Sequence, residues 1–156
     1  MFLSGVISGI IIGAFIFIFT MRRYMIISYY IPEKNFQEVT QRLEKIVPKF
    51  EGWGFPIPVW EFYKSQVSKG FKYENIRNMN IYFVCNPASA NIMIRNSPFF
   101  AGIMPCSWAV YEMVNGRVYI SKMNVGLMSK IFPGFIGNIM KEVAKIEDKI
   151  LSKIKK

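Results

Sequence analysis

Two cysteines, Cys85 and Cys106, in a chain without histidine, are the residues around which chemistry at neutral pH would have to be built. The missing imidazole removes the commonest general base and metal ligand, and with it any catalytic triad or zinc centre that depends on one. Sulfur chemistry remains. Asn86 and Pro87 follow the first cysteine, Met104 and Pro105 precede the second, and Trp108 lies just beyond it. If Cys85 closes one strand and Cys106 opens its antiparallel neighbour, then Cys85, Asn86, Pro87, Met104, Pro105 and Cys106 gather at one end of a sheet. Thiolates and thioethers suit a soft ion such as Cu(I), and two neighbouring thiols also suit redox work. The plainer alternative is packing, since free cysteine is among the most buried residue types and the prolines are explained as strand boundaries. In a reducing compartment the pair is expected as free thiols rather than a disulfide. Glu112 is a single carboxylate beside a turn, which is more often a surface residue than a general acid. No catalytic residue and no resident cofactor is expected, and Cu(I) or another soft metal is the one ligand the residues suggest.

The elements that must position these side chains begin with a membrane segment. Residues 1–21 carry no charged side chain, and a helix of that length covers about 30 Å, the thickness of a hydrocarbon core. A cleaved signal peptide would place positive charge before the apolar run; here none precedes it, and Arg22 and Arg23 follow at once. Positive residues are retained on the cytoplasmic side, so residues 1–22 are expected as a single-pass anchor with its N-terminus outside the cell membrane and the domain, residues 23–156, in the cytoplasm. Gly5, Gly9 and Gly13 recur every four residues and line one side of that helix. Such a pattern lets a second helix approach closely, although glycine is also simply frequent in membrane helices. All 20 basic and 10 acidic side chains lie at or after Arg22, so the net charge of +10 belongs to the domain. Anionic lipid is the natural partner for a basic domain held at a membrane. Nucleic acid is not expected, because the chain carries no recognition signature for it.

Within the domain, residues 24–31 read as a strand ended by Pro32, and Asn35 caps a helix reaching about Lys49. Residues 53–62, with Pro56 and Pro58, read as an edge strand, and residues 61–70 as a short helix. Residues 80–85 form a buried strand and residues 88–96 a short helix. Strands over residues 106–114 and 117–123 flank Asn115 and Gly116, the signal for a type I′ hairpin turn. From Phe135 onward, Ile136, Ile139, Val143, Ile146, Ile150 and Ile154 share a face, with Lys141, Lys145, Lys149 and Lys153 away from it. That helix either lies on anionic membrane or packs on the sheet, and the sheet's need for a cover favours packing. The fold class is α+β, an antiparallel sheet covered on one side by helices.

Val84-Cys85-Asn86-Pro87-Ala88-Ser89-Ala90 after a strand, Met104-Pro105-Cys106, and Val110-Tyr111-Glu112 before Asn115-Gly116 resemble elements of the Domain of Unknown Function 302 family, as does Gly54-Phe55. The resemblance runs from about Ser28 to Lys156. It implies a β-α-β4-α order similar to the TATA-binding-protein-like fold, and no established activity. Many relatives carry Arg directly after the Pro-Cys pair, where this chain has Ser107. A fold shared with a DNA-binding protein is not evidence of DNA binding.

The residues thus point first to a membrane-tethered, non-catalytic interaction module or accessory subunit, partnered by itself as a homo-oligomer or by integral-membrane subunits. The alternative is a thiol-dependent metal-binding or redox protein using Cys85 and Cys106.

Overall fold

Strands with alternating inward apolar residues build a single antiparallel sheet in the computed structural model, which describes residues 2–132 and 134–156 and, before residue 23, the side chains of residues 9–19 and 21. The strands are β1 (Ile26–Ile31), β2 (Ile76–Val84), β3 (Cys106–Met113) and β4 (Val118–Met123), in spatial order β1-β4-β3-β2. The helices are α1 (Phe2–Tyr24), α2 (Phe36–Ile46), α3 (Phe62–Val67), α4 (Pro87–Asn96), α5 (Val125–Ile131) and α6 (Gly134–Lys155). The fold is α+β with a four-stranded antiparallel sheet.

Helices α2 and α6 cover one face of the sheet. Trp108, Val110, Val118, Ile120, Tyr82, Val84 and Ile31 point into a core closed by Val39, Leu43 and Val47 on one side and Ile150, Leu151 and Ile154 on the other. Burying a side chain of this size contributes about 1.5–3 kcal/mol, so these contacts dominate the fold. Asn35 caps α2 as its position suggests: its side chain accepts from Glu38 N, and the Asn35 backbone N–H donates to Glu38 Oε2. On the other face Tyr30, Tyr119 and Tyr111 form a ladder with ring centres 5.5 and 5.4 Å apart.

Three expectations need correction. The edge strand expected over residues 53–62 does not form; only isolated bridges, Gly54 with Cys85 and Trp60 with Ile81, tie this segment to β2. Pro56 and Pro58 lie between those bridges and have no N–H to offer a ladder. The β-α-β4-α order is therefore one strand short. The hairpin after β3 forms, but not with a type I′ turn. Gly116 N donates to Met113 O and Met113 N to Arg117 O, and positive φ falls on Gly116 but not on Asn115. This is a three-residue loop of a type I turn followed by a left-handed glycine. It pairs Val110 with Ile120 and Trp108 with Lys122. A two-residue loop would shift the pairing by one and turn one strand's apolar set outward, so the hydrophobic pattern selects the register. Finally, α6 packs on the sheet with Ile150 and Ile154 buried as expected, but the rest of its innermost line runs through Gly137, Met140, Ala144, Glu147 and Leu151. Ile136, Ile139, Val143 and Ile146 flank that line, half-buried.

Two helical segments have no counterpart in the sequence reading. The 3-10 segment Pro98–Ile103 follows α4, and α5 packs against α6 as a helical hairpin. A Cβ at Gly137 would overlap the carbonyl oxygens of Ser129 and Phe132, so the corner requires a glycine there.

Helix α1 runs for 23 residues, and its described large side chains from Ile10 to Phe19 are all exposed. Among the described residues no helix is long and apolar enough to cross a membrane. The side chains of Gly5 and Arg22, two positions of the expected anchor, lie outside the described ones. The end of α1 is fixed to the domain: Asn124 Nδ2 donates to Tyr24 O at 3.0 Å and Asn124 N to Met25 O at 2.8 Å. Because Ile26 pairs with Met123, and Val84 with Cys106, the chain enters the sheet at the end where β2 stops and β3 starts.

Candidate functional site

At that end of the sheet lies a cavity of about 50 Å³ with almost wholly apolar walls. The register explains why both cysteines reach it. Val84 pairs with Cys106, so the last residue of β2 and the first of β3 stand side by side, and Cys85 follows at once. Cys85 is held in place by its backbone, which exchanges hydrogen bonds with Gly54 at 3.0 Å in both directions. Asn86 caps α4, accepting from Ser89 N at 3.0 Å, and Pro87 occupies the first turn, where its missing N–H costs nothing. Helix α4 then brings Met93 over the cavity, while Met123, Met128 and Met140 arrive from β4, α5 and α6.

Of the residues singled out in the sequence, Cys85, Asn86, Met104 and Cys106 line one cavity, whereas Pro87 and Pro105 do not. Their roles are positional: Pro87 starts α4, and Pro105, joined to Met104 by a cis peptide, leads into β3. Trp108 turns away into the core, where Nε1 donates to Glu147 Oε1 at 3.3 Å. Glu112 is half-buried and accepts from Asn78 Nδ2 at 2.6 Å, beside a shallow polar groove that also includes Arg77 and Lys64. Gly9 and Gly13 have nothing within 4 Å of where a Cβ would stand, and Arg23 is exposed.

Sequence reasoning missed most of the sulfur. With Met93, Met104, Met123, Met128 and Met140 beside the two cysteines, seven sulfur-bearing side chains line the wall. A chain with 10 methionines offered a compositional hint, but five elements and two connecting segments supply these sulfurs, and no local spacing connects them. Also missed was the buried pair Lys122 and Glu147 just behind the cavity. Lys122 Nζ lies 2.8 Å from Glu147 Oε2, with the two side chains 3% and 0% exposed. A signal existed. Lys122 has the same inward parity as Val118 and Ile120, and Glu147 sits one turn before Leu151 on the apolar side of α6.

The electrostatics favour the protonated thiols. Burial pushes the Cys106 thiol up to about 12, with the negative charge of Glu147 and neighbouring Cys85 adding to it and Lys122 opposing. Burial raises Cys85 as well. Burial also lifts the Glu147 carboxyl above the ordinary range against the pull of Lys122 and two hydrogen bonds. A thiol that holds its proton is a poor nucleophile and a poor half of a redox pair. Thioethers need no deprotonation to ligate, so of the sulfur ligands present the methionines are the readier ones for a soft ion. Among the described residues no group of three or more His, Cys, Asp or Glu is placed to hold a metal.

A profile of the family described as Domain of unknown function DUF302 matches residues 27–154. The chain belongs to the DUF302 family. No curated protein matches the sequence. Among solved structures it is similar to the crystal structure of an uncharacterized conserved protein DUF302 from Bacillus stearothermophilus, with a TM-score of 0.71 and 21% sequence identity over 83% of this chain and 98% of that one. At that identity the likeness speaks for the fold. The family match starts at Ile27, just after the last turn of α1, so the helix lies outside the shared DUF302 domain.

Proposed function

We propose that this DUF302 chain is a membrane-tethered, non-catalytic binding module, anchored by α1 with its N-terminus outside and its basic domain against the cytoplasmic leaflet. The observation that carries the reading is the apolar pocket at the end of the sheet that α1 joins, where burial holds both thiols in their protonated form and no catalytic constellation stands among the described residues. The uncharged run of residues 1–21, followed by Arg22 and Arg23, supports the anchor and its direction. Glycines every four residues support association through α1, as a homo-oligomer or with integral-membrane subunits. The direct test is alkaline carbonate extraction of native membranes, followed by mass determination of the detergent-solubilised protein. Retention in the membrane fraction and a mass above one chain support the reading. Release by carbonate removes the anchor, and a strict monomer removes the association.

A second reading has its own observation. Seven sulfur side chains around one small cavity suit Cu(I) or another soft monovalent ion, held mainly by thioethers with Cys85 and Cys106 as further ligands. Titration of the detergent-solubilised protein with Ag(I), followed by mass under native conditions, decides it. One ion bound per chain supports the site, and no retained ion rejects it.

A further inference from the structure

Helix α6 can be followed from one end of the sheet to beyond the other. Its last turn lies beside the far part of β1 and the start of α2: Lys155 Nζ is 4.4 Å from the Tyr29 ring centre, and Lys155 O accepts from Lys34 Nζ at 2.9 Å. Further back Glu147 meets Lys122 on β4, and Met140 reaches the cavity beside Cys106. Residues 134–139 of α6 precede Met140 and add about 9 Å of helix before the cavity is reached. The beginning of α6 therefore overhangs the end of the sheet at which α1 joins.

That overhang is apolar and exposed. Phe135 is 53% exposed, Phe99 69%, Ile103 38% and Ile131 37%. Phe99 packs on Phe100 with ring centres 4.2 Å apart and Phe100 meets Phe132 at 5.0 Å, which brings the Pro98–Ile103 segment against the corner between α5 and α6. The same corner carries the exposed cations Lys130 and Lys141. Large apolar tips backed by lysines are the composition of a surface that sits in a lipid headgroup layer. Its place beside the exit of α1 faces it toward the bilayer that α1 would enter.

We propose that this corner is seated in the membrane interface, with Phe99, Ile103, Ile131 and Phe135 at the acyl boundary and Lys130 and Lys141 against anionic headgroups. The inference rests on the reading of α1 as a membrane span, and it adds that the domain is docked on the bilayer rather than swinging from its tether. The pocket mouth then lies close to the lipid surface.

The test uses the full chain in nanodiscs of phosphatidylcholine and phosphatidylglycerol, with Phe99→Trp and Phe135→Trp made separately. Both positions are exposed and accept the larger ring, so two independent reporters are available. With lipids brominated near the top of the acyl chain, each added tryptophan is expected to lose most of its emission, relative to the wild-type signal from Trp53, Trp60 and Trp108. Incorporation is scored first, by co-elution with disc lipid after a carbonate wash. A chain that incorporates but shows no quenching at either position overturns the docking and leaves the anchor standing. A chain that fails to incorporate overturns the anchor and the docking with it.

Discussion

Lys122 and Glu147 form an ion pair inside the core, 2.8 Å apart with both side chains essentially without solvent, and the second carboxylate oxygen accepts from Trp108 Nε1. Withdrawing two charges from water costs several kcal/mol per ion, and mutual attraction recovers this only while both partners are present. Lys122→Met or Glu147→Leu alone is therefore expected to destabilise the domain by about 3–5 kcal/mol, because each leaves the other charge buried and unpaired. The double variant should recover much of that loss, short of wild type by about 1–3 kcal/mol because Trp108 Nε1 is left without its acceptor. Denaturant unfolding of the four proteins in mild detergent gives the cycle directly, and a double variant no more stable than the singles would mean that the pair is coupled to further groups.

The Cys106 thiol, raised to about 12 by burial, should be almost inert. Its thiolate fraction at neutral pH is lower by roughly a thousandfold than that of a thiol at the ordinary value, so native alkylation should label Cys85 first and Cys106 only on unfolding. The sign of the linked stability follows. The folded thiol keeps its proton above the pH at which the unfolded one loses it, so its contribution is complete below pH 9.0 and is lost as pH rises toward about 12. In that window the wild type should lose about 1.4 kcal/mol more per pH unit than Cys106→Ala. Equal slopes in pH-dependent unfolding would show that Cys106 titrates normally.

The parts of this molecule that were readable in the sequence are those where local chemistry and tertiary packing agree. Asn35 capped a helix because its neighbours also carried the helical period, and the positions of Cys85 and Cys106 at strand ends placed them together. The reading faltered where packing overrode a local signal. Asn115 and Gly116 suggested a type I′ turn, but pairing Val110 with Ile120 required a longer loop. Glu147 lies on the buried line of α6 between the exposed Lys145 and Lys149, and its partner Lys122 is distant in sequence. The methionine wall was invisible for a different reason: its members come from four elements and one connecting segment and meet only once the chain has folded.

If the cavity takes a soft monovalent ion, methionine thioethers should carry much of the affinity. Met123→Leu and Met140→Leu conserve volume and are expected to cost less than about 1.5 kcal/mol of stability each. Either substitution should nevertheless weaken Ag(I) binding measured by competition with a thioether chelator, and Cys106→Ser should weaken it further at high pH than at low. Unchanged affinity in both methionine variants would leave the wall as packing alone.

Gly9 and Gly13 separate folding from association. No heavy atom approaches within 4 Å of a Cβ built at either position, so Gly9→Leu and Gly13→Leu have room within the chain. The DUF302 domain starts beyond α1 and should keep its unfolding midpoint in both variants. If α1 pairs with another helix across this small-residue face, the larger side chain holds the backbones apart and removes the close contact that drives association in lipid. Sedimentation of the detergent-solubilised variants is then expected to show a smaller particle than wild type. A leucine variant with the same mass and the same partners would place any association on the domain, where the Tyr30, Tyr119 and Tyr111 ladder is the next surface to substitute.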